Sequence, residues 1–126
     1  MGEMKMNLSD VLINESAFEL KELLRSIRCE PECFEFANIL FEDRFRSSVR
    51  RILHLKNLAE GCYAEGDTAQ ADTYNARASE VERQFYAYLR NACLILSQSP
   101  QKADEVVCDA DHILPNLINS LRLMGK

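Results

Sequence analysis

The chain has 126 residues, of which 20 are acidic and 15 are basic, so its formal net charge is −5. This length is typical of one domain, and with 47% hydrophobic residues the chain can bury a core without disulfides or metal. The composition excludes a fibrous or disordered protein, and the length excludes a multidomain enzyme. No stretch approaches the roughly 18 apolar residues needed to span a membrane.

The number and spacing of the cysteines indicate in which cellular compartment the protein is found. They are odd in number and irregularly spaced: Cys29, Cys33, Cys62, Cys93 and Cys108. This pattern favours reduced thiols over a disulfide framework. The first ten residues are short and polar, unlike a secretory signal. We therefore expect a cytoplasmic protein that does not enter membranes.

Start and stop signals predict helices only, packed as an all-α helical bundle in a single domain. Ser16, with Glu19 three residues later, forms a capping box that predicts a short first helix over residues 16–28. Pro31 suits the first position of a second, much longer helix over residues 31–64.

The second half of the chain has equally clear signals. Gly66 ends the second helix, and Asp67 predicts a third helix over residues 68–97. The Ser99-Pro100 pair predicts a fourth over residues 100–124, in which Pro115 introduces a kink or a split.

The second and third helices carry an apolar seam with a period of about 3.5 residues. A short turn at Gly66 would make them antiparallel neighbours, and facing positions would then match large side chains against small ones. The predicted pairs are Ala59 with Tyr74, Leu55 with Ala78, Ser48 with Phe85, and Phe41 with Ala92. The sequence thus predicts a long antiparallel hairpin at the centre of the bundle.

Residues around the predicted turn follow the pattern of a known repeat, with a Leu-Ala pair, a Gly-Asp turn and two spaced alanines. They are Leu58, Ala59, Gly66, Asp67, Ala71 and Ala78. Over about residues 52–84 the chain therefore resembles one tetratricopeptide repeat. A single copy does not make a solenoid, which needs about three repeats. The resemblance implies a close-packed helical hairpin of the kind that binds other proteins.

A run of basic residues offers a first candidate site. Between positions 44 and 56 there are five bases and no acid: Arg44, Arg46, Arg50, Arg51 and Lys56. One interpretation is an anion-binding helix face, which makes a nucleic-acid-associated protein the alternative function. The other is a solvated face that pairs with acids on neighbouring helices. The negative net charge and the lack of interleaved aromatic residues favour the second interpretation.

Two pairs of potential zinc ligands lie at helical spacing. Cys29 and Cys33 are four residues apart, as are Cys108 and His112, and together they make a Cys₃His set. Structural zinc sites have tighter loop spacings, and cysteine is often simply buried. We therefore expect no metal and no cofactor. The sequence also lacks phosphate-loop, di-iron and nucleophile motifs, so we expect no enzymatic activity.

These features predict a non-enzymatic protein-interaction module, such as an adaptor, a small chaperone or an inhibitor of a larger complex. The predicted first helix is too short to cover the hairpin as far as its turn. We expect Leu53, Leu58 and Tyr63 in that half to be covered by a partner helix or by a second copy in a homodimer. Alternatively, an arm at Val11–Ile13, or the segment after Pro115, folds back over them.

Overall fold

The protein is all-α, which confirms the predicted fold class. The structure, a computed structural model, describes residues 8–25 and 31–124, with side chains described for residues 8–22 and 42–124. These described residues form four helices and no strand. The helices are α1 (Leu8–Arg25), α2 (Pro31–Ala64), α3 (Thr68–Ser97) and α4 (Pro100–Met124). No helix in the described part of the chain is long and apolar enough to cross a membrane.

The predicted start of the first helix at Ser16 is wrong. Helix α1 begins at Leu8, so the predicted arm at Val11–Ile13 is itself helical. The reason is an apolar stripe of Ile13, Ala17 and Leu20, all buried, which continues straight past Ser16 at helical spacing. Burial of this stripe outweighs the capping potential of Ser16, and α1 is therefore longer than its local signal indicates.

The turn between α2 and α3 uses the residues that predicted it. Gly66 has φ +86°, in the left-handed region that glycine adopts without strain. The Asp67 side chain accepts a hydrogen bond from the Gln70 backbone N–H at 3.1 Å, which caps the start of α3. The Asp67 backbone N–H in turn donates to the Cys62 carbonyl at 2.8 Å, which satisfies an acceptor at the end of α2.

The connection between α3 and α4 is also capped. Gln98 adopts the left-handed conformation with φ 55° and donates its backbone N–H to the Leu94 carbonyl. The Ser99 hydroxyl accepts the Lys102 backbone N–H at 3.4 Å, ahead of the first helical residue, Pro100. Helix α4 then continues through Pro115, so it is not split there, although proline supplies no backbone N–H.

All four helices contribute to one hydrophobic core, and α2 and α3 are antiparallel neighbours within it. The rings of Phe45 and Phe85 lie 5.7 Å apart between centroids, and the preceding residue Arg44 contacts Tyr88, three residues after Phe85 on α3. The predicted large-and-small pairs remain predictions, and the Phe41 side chain lies outside the described residues. The core side chains are Ile13, Ala17, Leu20, Phe45, Val49, Ile52, Leu55, Ala78, Phe85, Leu89, Cys93, Ala103, Val106, Ala110, Leu114, Leu117, Ile118 and Leu121.

Candidate protein-interaction site

The three residues predicted to bind a partner do not form one surface. Leu53 is half-buried and packs against the core, whereas Leu58 and Tyr63 are 37% and 45% exposed. At about 100° per residue, Leu53 and Leu58 point about 140° apart around α2, as do Leu58 and Tyr63. A single helix laid along the hairpin could not cover all three.

Tyr63 is held within the hairpin even though it is exposed. Its hydroxyl donates to the Asp72 carboxylate at 2.7 Å and accepts from the Asn75 amide at 3.4 Å, so it ties the end of α2 to the start of α3. The hydrogen bond to Asp72 is the main reason that the pKa of Tyr63 is raised. These contacts give Tyr63 a structural role at the turn.

The turn half of α2 also has more cover than the sequence predicted. Arg122 near the end of α4 forms an ion pair with Glu60, and Leu121 beside it is buried. Helix α4 therefore extends along the hairpin almost to the turn. The segment after Pro115 thus reaches Glu60, but it leaves Leu58 and Tyr63 exposed.

The five basic residues are divided between different directions around α2. Arg46 donates to the Asn14 side chain of α1, and Lys56 is half-buried close to Glu82 of α3. Arg44 places its guanidinium 4.8 Å above the centre of the Tyr88 ring. Arg50 and Arg51 are exposed, and neither forms an ion pair with a described residue. Arg44, Arg50 and Arg51 are thus the exposed members of the set, with Arg44 and Arg51 about 20° apart around α2 and Arg50 about 100° from Arg51.

The proposed zinc ligands can be placed only in part. Cys29 and the Cys33 side chain lie outside the described residues, while Cys108 and His112 are both exposed on α4. Among the residues that the structure describes, no group of three or more His, Cys, Asp or Glu side chains could hold a metal ion. The described half of the set thus offers a pair of side chains and no metal site.

A groove lies between α1 and α4. It consists of two adjoining hollows of about 310 and 510 Å³ that share Glu19, His112 and Ile113. Leu12 and Leu117 line the first hollow, and Phe18 lines the second. Phe18 is 61% exposed, which is unusual for an aromatic ring next to apolar neighbours. We call this surface the α1–α4 groove.

This groove was not predicted from the sequence, although the sequence contains one signal for it. Phe18 lies off the buried stripe of Ile13, Ala17 and Leu20, so an accurate helical wheel of α1 would have shown an unpaired aromatic residue. Because the predicted helix began at Ser16, it left out Ile13 and with it the first residue of this stripe. The side of α4 that α1 leaves open could not be derived from the sequence, because it depends on how the two helices pack.

Comparisons with protein-family models, with curated proteins and with solved structures find no significant match to this chain.

Proposed function

We propose that the protein is a non-enzymatic protein-interaction module that docks a partner protein in the α1–α4 groove. The observation that carries this proposal is the exposure of Phe18 beside the half-buried Ile113, in a groove with room for side chains of another molecule. Large aromatic residues in such positions are frequent anchors of interfaces. Adaptor, chaperone and inhibitor roles, and a homodimer, all fit a module of this kind, as does a cytoplasmic location.

The docking surface that we propose is the groove and not the turn half of the hairpin. At the turn, Tyr63 is hydrogen-bonded within the hairpin and α4 lies beside Glu60. In the groove, Phe18 contacts no aromatic ring among the described residues, and it is not part of the core that they form. Phe18 is 61% exposed, so a partner that covers it gains a corresponding part of the about 1.5–3 kcal/mol that full burial of such a ring contributes.

Comparative affinity purification from the native host tests this proposal. The tagged wild-type chain is compared with Phe18→Glu and with Ile95→Glu, a matched control because Ile95 on α3 is 78% exposed and outside the groove. We expect one partner to be recovered with wild type and with Ile95→Glu but lost with Phe18→Glu. Equal recovery of the same proteins with all three chains would contradict docking in the groove.

Nucleic-acid binding remains a second candidate because Tyr88 lies under Arg44, an aromatic partner that the sequence did not predict. Arg51 is seven residues from Arg44 and lies on the same side of α2, so the two could follow a phosphate backbone beside a stacked base. If so, affinity for single-stranded DNA should fall steeply with salt, and Arg44→Gln with Arg51→Gln should flatten that dependence. No binding at low salt would exclude this candidate.

A further inference from the structure

The charged residues that line the α1–α4 groove are acidic. Its lining includes Glu15, Glu19, Glu22 and Asp109, together with His112, and no lysine or arginine among the described residues. Glu15, Glu19 and Asp109 form no ion pair with any described side chain. The groove therefore presents negative charge beside its apolar residues.

The basic residues of the neighbouring surface face elsewhere. Lys21 on α1 pairs with Glu42 of α2, and Arg46 of α2 donates to Asn14 on the same side of α1. Both contacts lie at the α1–α2 boundary, on the side of α1 next to Phe18 and about 140–160° around the helix from Glu19. These bases are thus held away from Glu19 and Asp109 and leave the rim of the groove acidic.

The dimensions of the groove suit a short helix. Along α1 the lining residues extend from Leu12 to Glu22, a rise of about 15 Å or nearly three helical turns. Leu12, Phe18, Ile113 and Leu117 provide apolar contacts along that length. A helix in such a groove buries one apolar stripe and places its flanking side chains against the rim.

From this combination we infer that the partner contributes an amphipathic helix of about three turns, whose apolar stripe is flanked by lysine or arginine. The apolar stripe meets Phe18 and Ile113, and the flanking bases meet Glu19 and Asp109. An acidic helix or a nucleic acid would be repelled by the same rim, so charge selects the partner. This inference rests on the proposed function, and it specifies the chemistry of the partner.

Two synthetic peptides of about 18 residues test the inference, since shorter isolated helices are marginal in water. Both carry the same stripe of leucines at helical spacing, but the remaining positions are mainly lysine in one and mainly glutamate in the other. Binding of each fluorescein-labelled peptide to the full chain is measured by anisotropy. We expect the lysine peptide to bind at least about tenfold more tightly than the glutamate peptide, with an affinity that falls as salt is added.

Variants locate the binding site. Glu19→Gln with Asp109→Asn removes two charges from the rim, and Asp43→Asn with Glu65→Gln removes two exposed charges elsewhere. Phe18→Ala removes the exposed ring, with Ile95→Ala as its matched control. We expect the groove variants to weaken the lysine peptide by roughly tenfold and the control variants to leave its affinity unchanged.

Three outcomes would overturn the inference: equal binding of the two peptides, equal losses in groove and control variants, or self-association through the groove. The last would appear in light scattering as an oligomer that Phe18→Ala dissociates, making a second copy the occupant. A wrong inference about the basic helix can be distinguished from a wrong proposal about the interaction module. A native partner lost with Phe18→Glu, but no preference for the lysine peptide, would keep the interaction module and reject the basic helix.

Discussion

Phe45 of α2 and Phe85 of α3 pack against each other with their rings tilted by 54° and their centroids 5.7 Å apart. Both side chains are fully buried. This tilted arrangement is favourable for aromatic pairs, because the edge of one ring approaches the face of the other. The contact joins the two longest helices at mid-length and fixes their alignment, and the shorter helices pack onto that frame.

The first prediction concerns this contact. Phe45→Ala and Phe85→Ala should each lower the free energy of unfolding by about 3–5 kcal/mol, since each leaves a cavity in the core. The double variant should lose less than the sum, because the two residues share one contact. Urea unfolding measures all three. Phe18→Ala, an exposed control, should change the free energy by no more than about 0.5 kcal/mol. Losses below about 1 kcal/mol for both core variants would contradict the packing.

The two glycines near the turn predict effects of opposite sign. Gly66→Ala forces a Cβ into the left-handed region at φ +86° and should destabilise the fold by about 1 kcal/mol. Gly61→Ala lies inside α2, where an added Cβ meets nothing within 4 Å, and should stabilise by about 0.5–1 kcal/mol. Thermal unfolding of both variants beside wild type gives the comparison. Shifts of the same sign would show that the turn does not have this geometry.

The cysteines should differ sharply in reactivity. Cys93 is fully buried in the core, and burial raises its pKa to about 11, so little thiolate forms at neutral pH. Cys108 is exposed on α4. Brief iodoacetamide treatment followed by mass spectrometry should find Cys108 alkylated and Cys93 intact, with both modified after unfolding in urea. Equal modification in the native protein would mean that α3 is not packed as described.

Glu82 should make stability depend on pH. Burial raises the pKa of its carboxyl above the ordinary value of 4.5, with Lys56 opposing the shift and Asp111 adding to it. The folded chain therefore binds this proton more tightly than the unfolded chain does, and its stability decreases as pH rises above about 4.5 through the raised pKa. Glu82→Gln cannot ionise, so its free energy of unfolding relative to wild type should increase from pH 4 to pH 7. A constant difference across that range would contradict this assignment.

Local signals predicted most of the fold. Gly66, Asp67 and Ser99 set the ends of α2, α3 and α4 because each makes a specific backbone contact that its residue type favours. The start of α1 was missed because Ser16 has the chemistry of a cap but lies on a helix whose buried stripe continues to Ile13. The start of α1 is set by the burial of this stripe, and that burial depends on the helices packed against α1.

The candidate site was less predictable. Leu53, Leu58 and Tyr63 were chosen because they lie off the seam, yet the contacts that cover Leu53 and hold Tyr63 come from distant parts of the chain. The groove beside Phe18 is formed by α1 and α4, which are separated along the sequence by the whole hairpin. No periodicity within a single helix indicates which faces of two distant helices leave a space between them.

Site-specific photocrosslinking in the native host shows directly whether the α1–α4 groove docks a partner protein. A photoreactive phenylalanine analogue replaces Phe18 or Asn116 in the groove and, as controls, Gln84 or Ala87 on the exposed face of α3. We expect one adduct of the same mass from both groove positions and none from the controls. Adducts formed equally from the α3 positions, or no adduct from either groove position, would contradict it.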